Sequence, residues 1–355
     1  MSDTVLFLGA GATKAVNGLL TDEILPNLLS TKSSVPAQDP GGQMDPLVEF
    51  LAREFHVNST TPKEHYPGLP LLMSLIDSAL DRREAFHDQW DLNALAGLRE
   101  AIEFGIFDVL ELALGAAGTG PHYSLLLKLF PNQPEQPSII TTNYDLIADA
   151  ALMFTSERFQ TQGGLPNYHC GLANISQMGP DERYGTLLKL HGSLNWLVCK
   201  NCLRLELGNS QSTMYLKIVQ RIAGPDLKST FLADGAPCCV CQSKLRPLLV
   251  APSHLKDYRN PHLAQVWYEA QRVLRQAKRV IFVGYSMPDD DVEVVYLVKR
   301  SLAHITDPKQ ITVVEYCEEN PAIAVGDHPV GRRYQTLFGD IDWHPEGLNQ
   351  WVNTP

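Results

Sequence analysis

Apolar residues in this chain follow two patterns, which alternate along its length. Short runs rich in Val, Ile and Leu occur at Val5–Leu8, Ser138–Thr142, Thr186–Leu190, Arg246–Ala251, Arg279–Val283 and Gln310–Val314. Several lack alternation with polar residues, as expected of strands covered on both faces. Elsewhere apolar residues recur at helical spacing, over 47–55, 69–81, 92–114, 122–130, 261–277 and 290–303. A further helix is expected from Leu146, and Lys14 to Leu29 is helix-compatible but broken by Gly18 and Pro26. Strands alternating with helices predict an α/β fold with a doubly wound parallel sheet. Residues 30–46 (STKSSVPAQDPGGQMDP) read as a flexible loop. They open a block without convincing strands, which predicts a helical insertion or cap over 30–135.

Composition narrows the class. A chain of 355 residues can bury a large core, as one domain with a subdomain or as two domains. Hydrophobic content of 44% with 19% charged residues describes a globular protein and excludes a disordered one. A net charge of −11 argues against intrinsic nucleic-acid binding, and Lys278-Arg279 and Arg332-Arg333 read as solvated surface. No apolar run reaches the ~18 residues of a membrane span. The start, MSDTVLFLGAG, has no basic segment or cleavage site, which points to the cytoplasm. The cysteine count of 7 is odd, so a disulfide framework is a poor reading.

Ligands of doubly wound sheets bind beyond the carboxyl ends of the strands. Gly9-Ala10-Gly11-Ala12, Asn143, His191, Gly284-Tyr285-Ser286 and Glu315 all follow strand-like runs, which predicts one site. The glycine turn at 9–11 would let backbone N–H groups approach a pyrophosphate at a helix N-terminus. It lacks the third glycine of the dinucleotide fingerprint, and a plain strand-to-helix turn is the competing reading. In Thr141-Thr142-Asn143-Tyr144-Asp145, Asn143 can orient water or a ribose hydroxyl, and Asp145 can accept from a carboxamide. Either could instead cap a helix. His191, with Gly192 and Ser193 after it, suits a general base near neutral pH, against the commoner role of a structural histidine. Gly284 and Ser286 can meet phosphate or ribose oxygens. Asp289, Asp290 and Asp291 then open a helix, with capping favoured over a metal site. Glu315 could accept from ribose hydroxyls.

Two cysteine pairs of identical spacing, Cys199/Cys202 and Cys238/Cys241, are separated by residues 203–237. Short chelate loops of this kind preorganise four thiolates for tetrahedral zinc and leave no open position for catalysis. The separation exceeds the usual ~15–20 residues. Cys239 could substitute for a neighbour, and Cys170 and Cys317 read as buried small hydrophobes.

Taken together, GAGAT at 9–13, TTNYD at 141–145, KLHGS at 189–193, the cysteine pairs, Leu245-Arg246-Pro247, VGYSMPDDD at 283–291 and Glu315 resemble the sirtuin-like superfamily. The resemblance spans about residues 4–345. It implies an NAD+ site in a Rossmann-like domain and a small zinc-ribbon subdomain, here 196–246. It also implies an Asn–His pair beside the nicotinamide riboside, placed by position at Asn143 and His191. Asp145 would hold the nicotinamide amide. Gly9, Ala10, Gly11, Gly284, Tyr285, Ser286 and Glu315 would line the dinucleotide.

The chain departs from the family's deacylases in two places. Gly18-Leu19-Leu20-Thr21-Asp22 stands where they carry Gly-Ile-Pro-Asp-Phe-Arg, and Val250-Ala251-Pro252-Ser253-His254 where they carry a Phe-Gly-Glu element. The pattern is more similar to sirtuin-like NAD+ hydrolases of bacterial anti-phage defence. Those imply a homo-oligomer and a partner such as a DNA-translocating ATPase or a nuclease. An NAD+-dependent deacylase and a non-catalytic NAD+ or ADP-ribose sensor are the competing expectations.

Overall fold

The computed structural model describes residues 3–33, 45–87, 89–114, 120–131, 136–158, 165–172, 183–207, 237–317 and 320–354. The chain divides into two compact units. One contains 1–18, 114–249 and 258–355, the other 19–113 and 250–257.

The chain opens with β1 (Thr4–Leu8) and the short α1 (Ala10–Lys14). Four helices of the second unit follow: α2 (Thr21–Ser33), α3 (Pro46–Glu54), α4 (Leu69–Arg82) and α5 (Leu92–Leu114). The chain then re-enters the first unit with α6 (Gly120–Leu129), β2 (Ser138–Thr141), α7 (Ile147–Arg158), β3 (Leu165–Asn167) and β4 (Arg183–Lys189). Next come β5 (Gly192–Cys199), β6 (Leu205–Leu207) and β7 (Leu245–Leu249). The C-terminal part alternates α8 (Pro261–Gln276), β8 (Arg279–Val283), α9 (Val292–Ser301), β9 (Ile311–Val314), α10 (Pro329–Phe338), β10 (Asp342–His344) and α11 (Gly347–Trp351).

Seven strands form a parallel sheet in the order β10-β9-β8-β1-β2-β4-β3. The fold is therefore the α/β, doubly wound, Rossmann-like one expected. β1 lies at the centre, paired with β2 on one side and β8 on the other. From β1 the chain adds β2, then β3 at the edge and β4 between them, and later returns to start the other half at β8. That reversal makes the carboxyl ends of β1 and β8 the switch point where such sheets open a crevice. The unbroken apolar character of the strands follows from double coverage: Val5, Phe7, Ile140, Leu187, Val280, Ile281 and Phe282 are all fully buried.

Helix starts are written in the local sequence. Asn260 accepts from the His262 amide and Pro261 occupies the first turn of α8, a cap worth about 1 kcal/mol. The buried residues of α8, Leu263, Val266, Ala270, Val273 and Leu274, form the single stripe that lies on the sheet.

Three sequence expectations change. The run Arg246–Ala251 does not join the parallel sheet: as β7 it pairs antiparallel with β5, which also pairs with β6, in a separate three-stranded sheet. The helical unit runs over 19–113 and takes in 250–257, instead of 30–135. Pro26 is accommodated inside α2, and α6 lies in the sheet-bearing unit, where it buries His122, Leu125 and Leu126. Of the loop expected over 30–46, residues 34–44 lie outside the described residues, as do 208–236 of the expected ribbon 196–246.

Candidate functional site

Both glycine turns sit at the switch point, and each explains the other. The Gly9 N–H donates to Val283 O at 3.0 Å and the Gly11 N–H to Gly284 O at 2.8 Å. Gly284 has φ +59°, and a Cβ there would lie 2.2 Å from the Ala12 nitrogen and 2.4 Å from the Gly11 carbonyl carbon. Two backbones therefore touch where the strands end, and no side chain fits between them. The amides of Gly9 and Gly11, expected to face a pyrophosphate, are committed to these protein carbonyls. Ala10, Gly11, Gly284 and Ser286 remain half-buried, whereas Gly9 is buried. Tyr285 is buried in the core, its ring 4.8 Å from that of Phe7. Glu315 follows β9 half-buried, accepts from the Tyr316 amide, and has its carboxyl pushed up by burial.

Asn143 leaves β2 beside this floor. Its Nδ2 donates to Gly9 O at 2.8 Å and to Thr13 Oγ1 at 2.9 Å. With both amide hydrogens engaged, Oδ1 is the end able to accept from a water or a sugar hydroxyl. Asp145 is buried and takes the capping role that was one of its two readings. Its Oδ1 accepts from the Ile147 amide at the start of α7, and its Oδ2 accepts from Thr13 Oγ1.

His191 leaves β4, the strand next to β2, two residues beyond the pair Thr141–Lys189, as Asn143 lies two beyond Thr141. The two turns are joined by the Leu194 amide donating to Tyr144 O at 2.9 Å. The tight turn depends on Gly192, at φ +84°, where a Cβ would fall 1.9 Å from Leu248 O. The imidazole is 5% exposed and lies between the rings of Tyr144 and Tyr258, with centroids 6.2 and 6.1 Å away. Its Nε2 is 3.2 Å from the Tyr258 hydroxyl and 3.6 Å from Asp291 Oδ1.

Sequence reasoning missed the roles of Tyr258 and Asp291. Asp291 occupies the N-cap position of α9, but its side chain makes no cap hydrogen bond. It turns inward to accept from the Tyr285 hydroxyl at 3.1 Å and faces His191. This replaces the capping role expected of the Asp289–Asp291 run. Burial, reinforced by the Asp291 and Glu293 carboxylates, holds the Tyr258 phenol far above its ordinary range, so its hydroxyl keeps its proton. The ring packs edge-on to Trp267 at 4.5 Å, and Trp267 Nε1 donates to Leu190 O. A partial signal for Asp291 was available: a carboxylate in the connection from β8 to α9, beyond the end of a central strand of a doubly wound sheet. Tyr258 had none: it lies in the segment between β7 and α8, outside every motif.

His122 is buried behind Asp145, and its Nδ1 has no hydrogen-bond partner among the described residues. Burial pushes the imidazole down to about 4, against the pull of the Asp145 carboxylate. Between the ordinary 6.5 and about 4 the unfolded chain takes up a proton that the native state refuses. Stability from this group is therefore present above pH 6.5, is lost as pH falls through that window, and levels off below it. In paired thermal melts, the stability margin of wild type over His122→Leu should narrow from pH 7 to pH 4. A margin independent of pH would show that His122 is not buried neutral.

Cys199, Cys202, Cys238 and Cys241 bring their sulfurs within 4.8 Å of one another. Two sulfur pairs are 3.4 and 3.6 Å apart, close to the ~3.8 Å edge of a tetrahedron with ~2.3 Å Zn–S bonds. The same knuckle is built twice. Leu203 and Gln242 are both left-handed, at φ 58° and 61°, and their amides return to Cys199 O and Cys238 O. The cluster is compatible with a structural zinc. Cys239 is turned away to Glu206 Oε1 at 3.2 Å and takes no part. Cys170 and Cys317 are half-buried, more open than expected.

No protein-family model matches the chain, and no curated protein matches it. The solved structures similar to it include Sir2 proteins. A mutant Sir2 homologue in complex with ADP-ribose is 14% identical, with 99% of this chain and 88% of that one covered and a TM-score of 0.44. A second mutant, in complex with 2′-O-acetyl ADP-ribose, is 15% identical, with 98% and 90% covered and a TM-score of 0.44. Among the described residues no helix is long and apolar enough to cross a membrane.

Proposed function

We propose that this chain hydrolyses NAD+ at the nicotinamide–ribose bond, releasing nicotinamide and ADP-ribose. The observation that carries the reading is the pairing of His191 and Asn143 at matching positions beyond two adjacent parallel strands. Asn143 holds its amide oriented by Gly9 and Thr13 in the glycine turn. Glycosidic cleavage passes through an oxocarbenium-like state, so the protein's task is to place one nucleophile and limit bulk water. Asn143 Oδ1 accepts from the attacking water or from a ribose hydroxyl. His191 takes the proton released when the water oxygen bonds to the anomeric carbon, and the bonding electrons leave with nicotinamide. Asp291, 3.6 Å from Nε2, stabilises the imidazolium that results. Asp145 supports the turn that carries Asn143, its carboxylate engaged by the Thr13 hydroxyl and the Ile147 amide. Ala10, Gly11, Gly284, Ser286 and Glu315 border the dinucleotide, with the pyrophosphate held by groups other than the Gly9 and Gly11 amides.

The reading extends to a cytoplasmic anti-phage role in a homo-oligomer, with a DNA-translocating ATPase or nuclease as partner. Its support there is the two departures from the deacylase pattern. The discriminating experiment is nicotinamide release by purified protein with NAD+ alone. Release without any acylated peptide is expected. Release that requires an acyl-lysine peptide would make the chain a deacylase, and tight ADP-ribose binding without turnover would make it a sensor.

A further inference from the structure

Beneath His191 the chain buries a lysine completely. Lys189, the last residue of β4, is 0% exposed, and its three ammonium hydrogens go to three different segments. The partners are Asp145 O in the turn after β2, Asp149 Oδ2 at 2.9 Å on α7, and Ser193 Oγ at 2.7 Å in the turn after His191. Asp149 is itself 2% exposed and takes its other hydrogen bond from the Tyr168 hydroxyl. Ser193 passes its own hydrogen to Asn195 Oδ1 at 2.6 Å.

Stability alone does not account for this arrangement. A buried ion pair contributes little net stability compared with an apolar pair of the same volume, because desolvation offsets the attraction. The ammonium also lies at the N-terminal end of α7, where the helix dipole disfavours a cation. What the lysine does achieve is geometric. One rigid point, with every donor used, spans the two turns that carry Asn143–Asp145 and His191.

We infer that Lys189 is a positioning residue that sets the register between the carboxamide turn and the histidine turn. The inference rests on the NAD+-cleaving assignment of those turns. Lys189 touches no substrate. It acts by holding the Asp145 carbonyl and the Ser193 hydroxyl at fixed separation.

The test compares Lys189→Met with the double variant Lys189→Met/Asp149→Leu. The single variant strands a buried carboxylate and is expected to be strongly destabilised, which is the reason for the second. The double variant removes both charges together and is expected to melt close to wild type. Its kcat for NAD+, per folded protein, is expected to fall about 100-fold, the cost of a ~1 Å misplacement of reacting groups. The affinity for ADP-ribose, by calorimetry, is expected to stay within about threefold, because the dinucleotide's floor lies elsewhere on the sheet. A double variant that regains wild-type kcat would mean that Lys189 serves only to neutralise Asp149, and would overturn the proposal. A wild type that leaves NAD+ intact would instead overturn the functional reading. The positioning claim then still stands or falls on amide exchange. Peptides covering 141–145 and 191–195 are expected to lose protection in the double variant while β1 and β8 keep theirs. Unchanged protection in both turns would end the claim.

Discussion

His191→Ala is expected to lower NAD+ cleavage by about 10²–10⁴-fold, the usual contribution of a positioned general base. The residue is buried but sits in a turn beyond the strand, so the substitution leaves the β2–β4 pairing intact. The lost side chain separates three partners that otherwise share it: Tyr258, Asp291 and the ring of Tyr144. Asn143→Ala should cost about 10²-fold, because the remaining groups can still bind the substrate but no longer align the water. Nicotinamide release per folded protein measures both. Rates equal to wild type in either variant would remove that residue from the mechanism.

Loss of the metal should have the largest effect on stability. Structural zinc in small knuckles carries on the order of 10 kcal/mol of folding free energy. Here the four sulfurs join the far end of β5 to β7, with Cys199 closing the first strand and Cys238 and Cys241 preceding the second. One zinc per chain is expected by elemental analysis. Chelation, or Cys202→Ser, should lower the melting temperature sharply and release the metal. A protein that contains no zinc as isolated, or that melts unchanged after chelation, would contradict the assignment. β5 starts at Gly192, directly after His191, so the knuckles also anchor the strand that fixes the histidine turn.

The parallel sheet was legible because its strands are covered on both faces and show as short, continuous apolar runs, such as Arg279–Val283, between helical segments. The small antiparallel sheet was not. β5 is buried at every position and contains Asn195 and Ser193 among its apolar residues, so it shows neither alternation nor a clean apolar run. Its partner β7 was recognised as a strand but assigned to the wrong sheet, because pairing across 208–236 leaves no mark in local sequence. β10, three residues long and half-buried throughout, lies below the length at which periodicity speaks.

The site divides in the same way. His191, Asn143 and the cysteines announce themselves by residue type and by position after a strand. Asp291 was weighed as a helix cap and, with its two neighbours, as a metal site, and its inward turn toward His191 follows from tertiary packing. Lys189 enters the sequence reading only as the first residue of KLHGS, and nothing there marks it as buried. Only the convergence of α7, the 141–145 turn and Ser193 gives it three acceptors in the interior.

The contact between the two glycine turns has a consequence for any saturation survey of this chain. Gly9, Gly11 and Gly284 would tolerate almost no replacement, and such intolerance beside a crevice invites the conclusion that they grip a ligand. Here it would report two main chains pressed together. Maps of mutational sensitivity therefore need a companion binding measurement before these positions are counted as contacts.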